Sequence, residues 1–220
     1  MKNNLLKTLL PAGALLAFAT LASAAIVTPR GSGIENTTDN AGLTASGTLL
    51  ASVSSSATGT QTPPGTTLTI DYTESVFRDN TNCANCLDFV ITATNDAASN
   101  TILESISAAS FGGASTIWMG YNGVGAAPND VSLSGDGNVA KFYFAGVSPG
   151  SSTATLVIET NATTYVPGSV TFQDGASATG AGFGVAPEPN MTYLLSVLAL
   201  GILGLAYRRN RNAVKDTQAS

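Results

Sequence analysis

Through the middle of this chain apolar residues recur at every second position, and no long stretch repeats them at the spacing of a helix. In "TTLTIDYTESVF" Leu68, Ile70 and Tyr72 fall on one face, with Thr69, Asp71 and Thr73 on the other. In "LDFVITATN" Phe89, Ile91 and Ala93 oppose Val90, Thr92 and Thr94. "AKFYFAGV" aligns Phe142 with Phe144, "TATLVIETN" Leu156 with Ile158, and "SVTFQDG" Val170 with Phe172. Period two in segments rich in β-branched and aromatic residues is the pattern of half-buried strands. Turn-forming clusters separate them: "TPPG" at 62–65, "RDNTN" at 78–82, "NG" at 122–123, "SGDG" at 134–137, "SPG" at 148–150 and "VPG" at 166–168. "TILESISAASF" fits either period and is read as strand, because a helix there would have no neighbour of its kind. Residues 31–48 are so rich in Gly, Thr, Ser and Asn that the start of the first strand, near "LTASGTLLASVS", stays open. Short strands so punctuated predict an all-β fold, an antiparallel β-sandwich, and the lack of a fixed-period repeat disfavours a solenoid or propeller.

Both ends of the chain differ from this middle. "MKNNLLKTLLPAGALLAFATLASA" carries Lys2 and Lys7, then an apolar run from Thr8 to Ala22 broken by Pro11, then the small-x-small triplet Ala22-Ser23-Ala24. That is a secretory signal peptide over residues 1–24, with cleavage expected between Ala24 and Ala25. At the other end Met191 to Tyr207 is uncharged and almost wholly apolar. A helix of that length, at about 1.5 Å per residue, reaches roughly 26 Å, just enough to cross a bilayer core. Tyr193 and Tyr207 stand near its ends, and Arg208, Arg209, Arg211 and Lys215 follow it. A single transmembrane helix at 191–207 is therefore expected, with residues 212–220 as a cytoplasmic tail and the domain at 25–186 outside.

Charge and composition narrow the chemistry. Between Ala25 and Pro189 three basic residues (Arg30, Arg78, Lys141) meet thirteen acidic ones, a net charge of −10. Such a surface repels phosphate backbones, so nucleic-acid binding is not expected. There is no histidine, which removes Ser-His-Asp and Cys-His catalysis and imidazole metal sites, and leaves carboxylate-only chemistry. Cys83 and Cys86, in "NCANCLDF", precede a strand-like run rather than open a helix. In an exported protein this spacing predicts a loop-stapling disulfide rather than a redox motif.

Three groups of residues bear on function. A glycosidase needs two carboxyls about 5–9 Å apart. Asp71 with Glu74, or Asp88 with Glu159, are the candidates, although a regular strand sends Asp71 and Glu74 to opposite faces. Otherwise these are expected to be surface carboxylates that keep an acidic protein soluble. Asn129, Asp130, Asp136 and Asn138, in "NDVSLSGDGN", carry oxygens suited to calcium but lack the ligand spacing of an EF-hand, and are expected to end strands as Asx turns. Trp118, Tyr121 and Tyr143 can stack on sugars, but a lone Trp in a β domain is expected in the core. Asn36, Asn161 and Asn190 each begin an N-x-S/T triplet, read as chance matches. No cofactor or metal is expected and no catalytic motif is recognisable.

Directly before the apolar span stands Pro187-Glu188-Pro189. Together with the span and with Arg208, Arg209 and Arg211, it resembles the PEP-CTERM sorting signal of Gram-negative, exopolysaccharide-producing bacteria, over residues 187–211. The tail "NAVKDTQAS" is longer than that pattern usually carries. The resemblance implies processing near the motif by a membrane-embedded exosortase, a transient stay in the inner membrane, and delivery to the cell surface or extracellular matrix. "VFRD" (76–79), "CLDFVI" (86–91), "FYF" (142–144), "SPG" (148–150) and "LVIETNATTY" (156–165) resemble, in that order, a recurring uncharacterised type of PEP-CTERM protein. That looser likeness carries no activity. The expectation is a non-enzymatic surface or matrix protein in contact with exopolysaccharide. A carboxylate-based glycan hydrolase and a tail-anchored carbohydrate-binding or adhesion module are the alternatives.

Overall fold

The computed structural model describes residues 35–36, 42–62, 65–80 and 83–187. Strands carry nearly all of the regular structure there: β1 (Glu35–Asn36), β2 (Thr48–Gln61), β3 (Thr66–Asp79), β4 (Cys86–Asn95), β5 (Leu103–Ala109), β6 (Ile117–Asn122), β7 (Asp130–Leu133), β8 (Val139–Val147), β9 (Thr155–Thr160), β10 (Tyr165–Asp174) and β11 (Ala176–Val185). They form two antiparallel sheets, one in the order β2-β3-β4-β9-β6, the other β1-β7-β8-β5-β10-β11. The expected all-β character and the strand reading of "TILESISAASF" are thus observed, the latter as β5.

The two sheets pack face to face over one core, in a sandwich-like arrangement. Its residues are those the alternation assigns inward. Leu68, Ile70 and Tyr72 of β3, Phe89 and Ile91 of β4, and Leu156 and Ile158 of β9 meet Ile106, Phe142, Val170 and Phe172 from the other sheet. Tyr72 and Phe172 touch across the layers with ring centroids 5.0 Å apart, and Phe89 meets Phe111 edge-on at 5.0 Å. Each fully buried side chain of this size contributes roughly 1.5–3 kcal/mol of burial free energy, so the core dominates stability.

One expected turn is instead strand. "VPG" lies inside β10, with Pro167 opposite Phe183 and Gly168 opposite Gly182. The N–H of Phe183 points away from β10, toward a side chain of β3, so the 167/183 pair exchanges no ladder bonds. The donor that Pro167 lacks would face the β5 side, where pairing with β5 begins only at Val170. A proline is tolerated where no neighbour needs its N–H. The Cys83–Cys86 disulfide staples the turn between β3 and β4, with Cα atoms 5.5 Å apart and Asn85 at φ 64°.

The expected signal peptide with its Ala24–Ala25 junction, Glu188 and Pro189, Asn190, the apolar span 191–207, Arg208, Arg209, Arg211 and the expected tail at 212–220 lie outside the described residues. No helix among the described residues is long and apolar enough to cross a membrane.

Candidate functional site

Ladder register brings together residues that the sequence keeps far apart. Asp88 of β4 lies opposite Glu159 of β9, and Glu159 lies opposite Trp118 of β6. All three project from the face of the five-stranded sheet that points away from the core, because Phe89, Ile158 and Met119, their chain neighbours, point into it. Yet Asp88 and Glu159 are only 1% and 5% exposed. Residues 42–47, the approach to β2, form a strap near them. Gly42 donates from its N–H to the Tyr121 carbonyl (2.8 Å), and Asn122 Nδ2 donates to the Leu43 carbonyl (2.5 Å). At the other end of the strap the Ser46 N–H reaches Asp88 Oδ2 at 3.4 Å and Ser46 Oγ donates to Asp79 Oδ1 at 2.7 Å. Gly47 permits this close passage, since a Cβ there would stand 2.0 Å from the Arg78 carbonyl oxygen and φ is +95°.

Burial under the strap pushes the Asp88 carboxyl up to about 7, the charge of Glu159 adds to this, and the Ser46 N–H offsets part of it. The sequence-predicted pair Asp88 and Glu159 is therefore brought together, but as buried carboxyls rather than the expected surface charges. Asp71 and Glu74 are held apart on opposite faces of β3, Asp71 exposed and Glu74 0% exposed.

Glu74 occupies a second buried acidic site that the sequence reading placed at the surface. It sits where the free edge of β11 closes against β2 and β3. Its Oε2 accepts from the Phe183 N–H at 2.9 Å, while Oε1 is buried with no hydrogen-bond partner. Tyr72 OH donates to the Ala181 carbonyl at 2.7 Å, and the Val185 N–H donates to the Ser110 carbonyl at 2.7 Å. Three outward backbone groups of β11, the Ala181 carbonyl and the Phe183 and Val185 N–H groups, thus find partners outside a strand ladder, which blunts the sheet edge there. Alternate glycines make this possible. A Cβ on Gly180 would stand 2.1 Å from the Tyr72 hydroxyl, and one on Gly182 would stand 2.3 Å from Glu74 Oε2. Desolvation pushes the Glu74 carboxyl up to about 8, against the lowering effect of the Phe183 N–H. The signal available in the sequence was "ATGAGFGV", three glycines at period two facing inward on a terminal strand.

The outer face of the five-stranded sheet also carries an open groove of about 620 Å³, lined by Ser54, Asp71, Thr73, Thr92, Thr94, Ser152 and Val124 among others. Its hydroxyls pair across strands, Ser54 with Thr73 and Thr94 with Ser152, both at 2.8 Å. Val124 is 97% exposed at the loop tip after β6.

The remaining candidates scatter. Trp118 is half-buried on the outer face rather than in the core, Tyr121 packs against the core, and Tyr143 lies on the outer face of the other sheet under Lys141 Nζ, 4.9 Å from its ring centroid. They form no shared aromatic platform. Asp136 closes an Asx turn, accepting from Ser134 Oγ (2.5 Å) and the Asn138 N–H (3.0 Å), and the first of these bonds holds its carboxyl below the usual range. Asn129 and Asp130 stand at the opposite end of β7 from Asp136 and Asn138. Among the described residues no three His, Cys, Asp or Glu side chains converge as metal ligands. Asn161 is used structurally, its Oδ1 accepting from the N–H groups of Ser115 and Thr116, each at 3.0 Å. Asn36 pairs through its backbone with Asp130 in β7.

No family model, no curated protein and no solved structure matches this chain.

Proposed function

We propose that this is an exported, non-enzymatic protein of the bacterial cell surface or exopolysaccharide matrix, sorted through a PEP-CTERM signal at residues 187–211 and processed by an exosortase-type membrane enzyme. A secretory signal at 1–24 brings the chain across the membrane, and the helix at 191–207 holds it there until processing. The observation that supports this reading is the position of the motif relative to the described strands. β11, the last strand among the described residues, stops at Val185, and Pro187, the first residue of the motif, is exposed two residues later. A cut at or after the motif leaves both sheets whole, while a cut inside β11 would open the seam to β3. The catalytic alternative draws less support, because Asp88 and Glu159 lie buried, Asp88 beside the 42–47 strap.

The test is Glu188→Gln, which keeps the size of the side chain and leaves the span and its arginines intact. A sorted protein accumulates at full length in the membrane and is depleted from the surface. Wild-type processing of this variant would reduce the segment to a plain anchor.

The hydroxyl-lined groove favours one further reading, a carbohydrate-contacting module. Paired Ser and Thr hydroxyls keep free donor and acceptor capacity at strand spacing, and a single carboxylate, Asp71, stands among the groove residues. A glycan-array screen of the exported protein checks it, with loss of any signal in Thr73→Val as the expected companion result.

A further inference from the structure

Glu74 is the one carboxyl in the described residues that is wholly enclosed between the two sheets, and its geometry is that of a clip. One oxygen holds the Phe183 N–H of β11 and the other meets no partner. A carboxylate so placed would carry a full charge with a single hydrogen bond to stabilise it, and a buried charge needs more than one such bond to offset lost hydration. A protonated acid needs much less. It presents its carbonyl oxygen to Phe183 and leaves only a hydroxyl at the unpartnered position.

The surroundings offer no countercharge. Facing Glu74 are Val53 of β2 and Ile91 of β4 at its own register, Tyr72 on its own strand, and Val170 and Gly182 from β10 and β11. Tyr72 alone among these titrates, and burial pushes its phenol up, so it stays neutral beside Glu74. The slot is also tight. With Gly182 against Oε2, the side chain can reach water only by leaving Phe183.

We propose that Glu74 works as its neutral acid, clipping the free edge of β11 to the neighbouring sheet, and that its ionisation is a pH-sensitive release of that edge. The strand it releases is the one that leads into Pro187, so the state of the clip sets how firmly the domain is closed next to that exposed residue. The neutral acid is the folded form and the free carboxylate the favoured unfolded form. The clip therefore stabilises the fold fully below the ordinary carboxylate range, at about pH 4.5, and loses its effect as pH rises through the folded value of about 8.

The experiment is equilibrium denaturation of the full chain, in mild detergent, from pH 5 to pH 9, for wild type and Glu74→Gln. Glutamine keeps the acceptor for Phe183 and cannot ionise. The ratio of unfolding constants, wild type over variant, is expected to rise by up to about tenfold per pH unit from pH 5 to about pH 8 and to level off above that. Parallel profiles would overturn the proposal. Two measurements on the wild type keep it falsifiable if the variant does not fold. In carboxyl-labelled glutamate NMR, the resonance assigned to Glu74 through its backbone should titrate above pH 7, and titration of that resonance near pH 4.5 contradicts the clip. Amide exchange, corrected for intrinsic base catalysis, should lose protection at Phe183 through the same window while Val185, which donates to Ser110, keeps its own. Loss at both together would mean the strand frays without regard to Glu74.

Discussion

The seam around Glu74 and the strap beside Asp88 bury the same chemical group in opposite ways. Glu74 faces inward, away from every other charge, and desolvation alone lifts its carboxyl, up to about 8. Asp88 faces outward, and the coverage beside it is supplied by a loop rather than a sheet. Its rise, to about 7, owes most to burial and then to the neighbouring carboxylate of Glu159. At the seam the acid serves as a hydrogen-bond acceptor for a strand edge that lacks a partner. Under the strap, acids that would repel one another are neutralised or tied by Ser46. The first site ties strand to strand within the fold; the second ties a peripheral segment onto a finished sheet. Disturbing the first should therefore cost more than disturbing the second.

The largest effect is expected from Gly182→Val. Its side chain would overlap Glu74 Oε2 and Val170 Cγ2, the latter within 2.9 Å of the first added carbon. Overpacking with loss of the clip should lower the unfolding free energy by about 3 kcal/mol, read from urea denaturation. A loss no greater than that of a surface glycine substitution would show that the seam is not tight.

Asp88→Asn gives a smaller effect with a distinctive sign. Asp88 is neutral in the fold up to about pH 7, against an ordinary value of 3.8, so the wild type loses stability as pH rises between these values. The variant lacks this contribution and keeps that of Glu74. Near pH 4 the two should match, and near pH 8 the variant should be more stable by about 2 kcal/mol. Equal stability at both pH values would mean that the strap leaves the carboxyl hydrated.

The strand pattern was legible because inward and outward residues alternate so regularly. Leu68, Ile70 and Tyr72 are buried as their period requires, and Asp71 and Glu74 fall on opposite faces. Glu74 shares the parity of the apolar residues, but a carboxylate reads by default as a surface group because it is so seldom fully buried. Its partner, the Phe183 N–H, lies 109 residues further along, and no local signal announces it. Asp88 and Glu159 are paired by a register that only the folded sheet establishes, and their burial depends on a strap from a third region of the chain. Trp118 alternates with Ile117 and Met119, so both parities are apolar and the sequence has no means of choosing which points inward. "VPG" reads as a turn because proline lacks a donor. In the fold that donor would face a side of β10 with no neighbour to receive it.

The smallest effect is expected at the Cys83–Cys86 disulfide, in the turn between β3 and β4. It closes a loop of sequence separation 3, and so short a loop restricts the unfolded chain little. Replacing both cysteines by Ser should cost about 1 kcal/mol. Under non-reducing conditions both cysteines should resist alkylation.

Processing next to Pro187 would leave every described strand in place, and the intact mass of the protein recovered from the surface or matrix of its host tests this most directly. A mature chain that starts at Ala25 and ends within residues 186–190, lacking the apolar span, is the predicted result. A surface-exposed chain whose mass extends through Ser220 would contradict it.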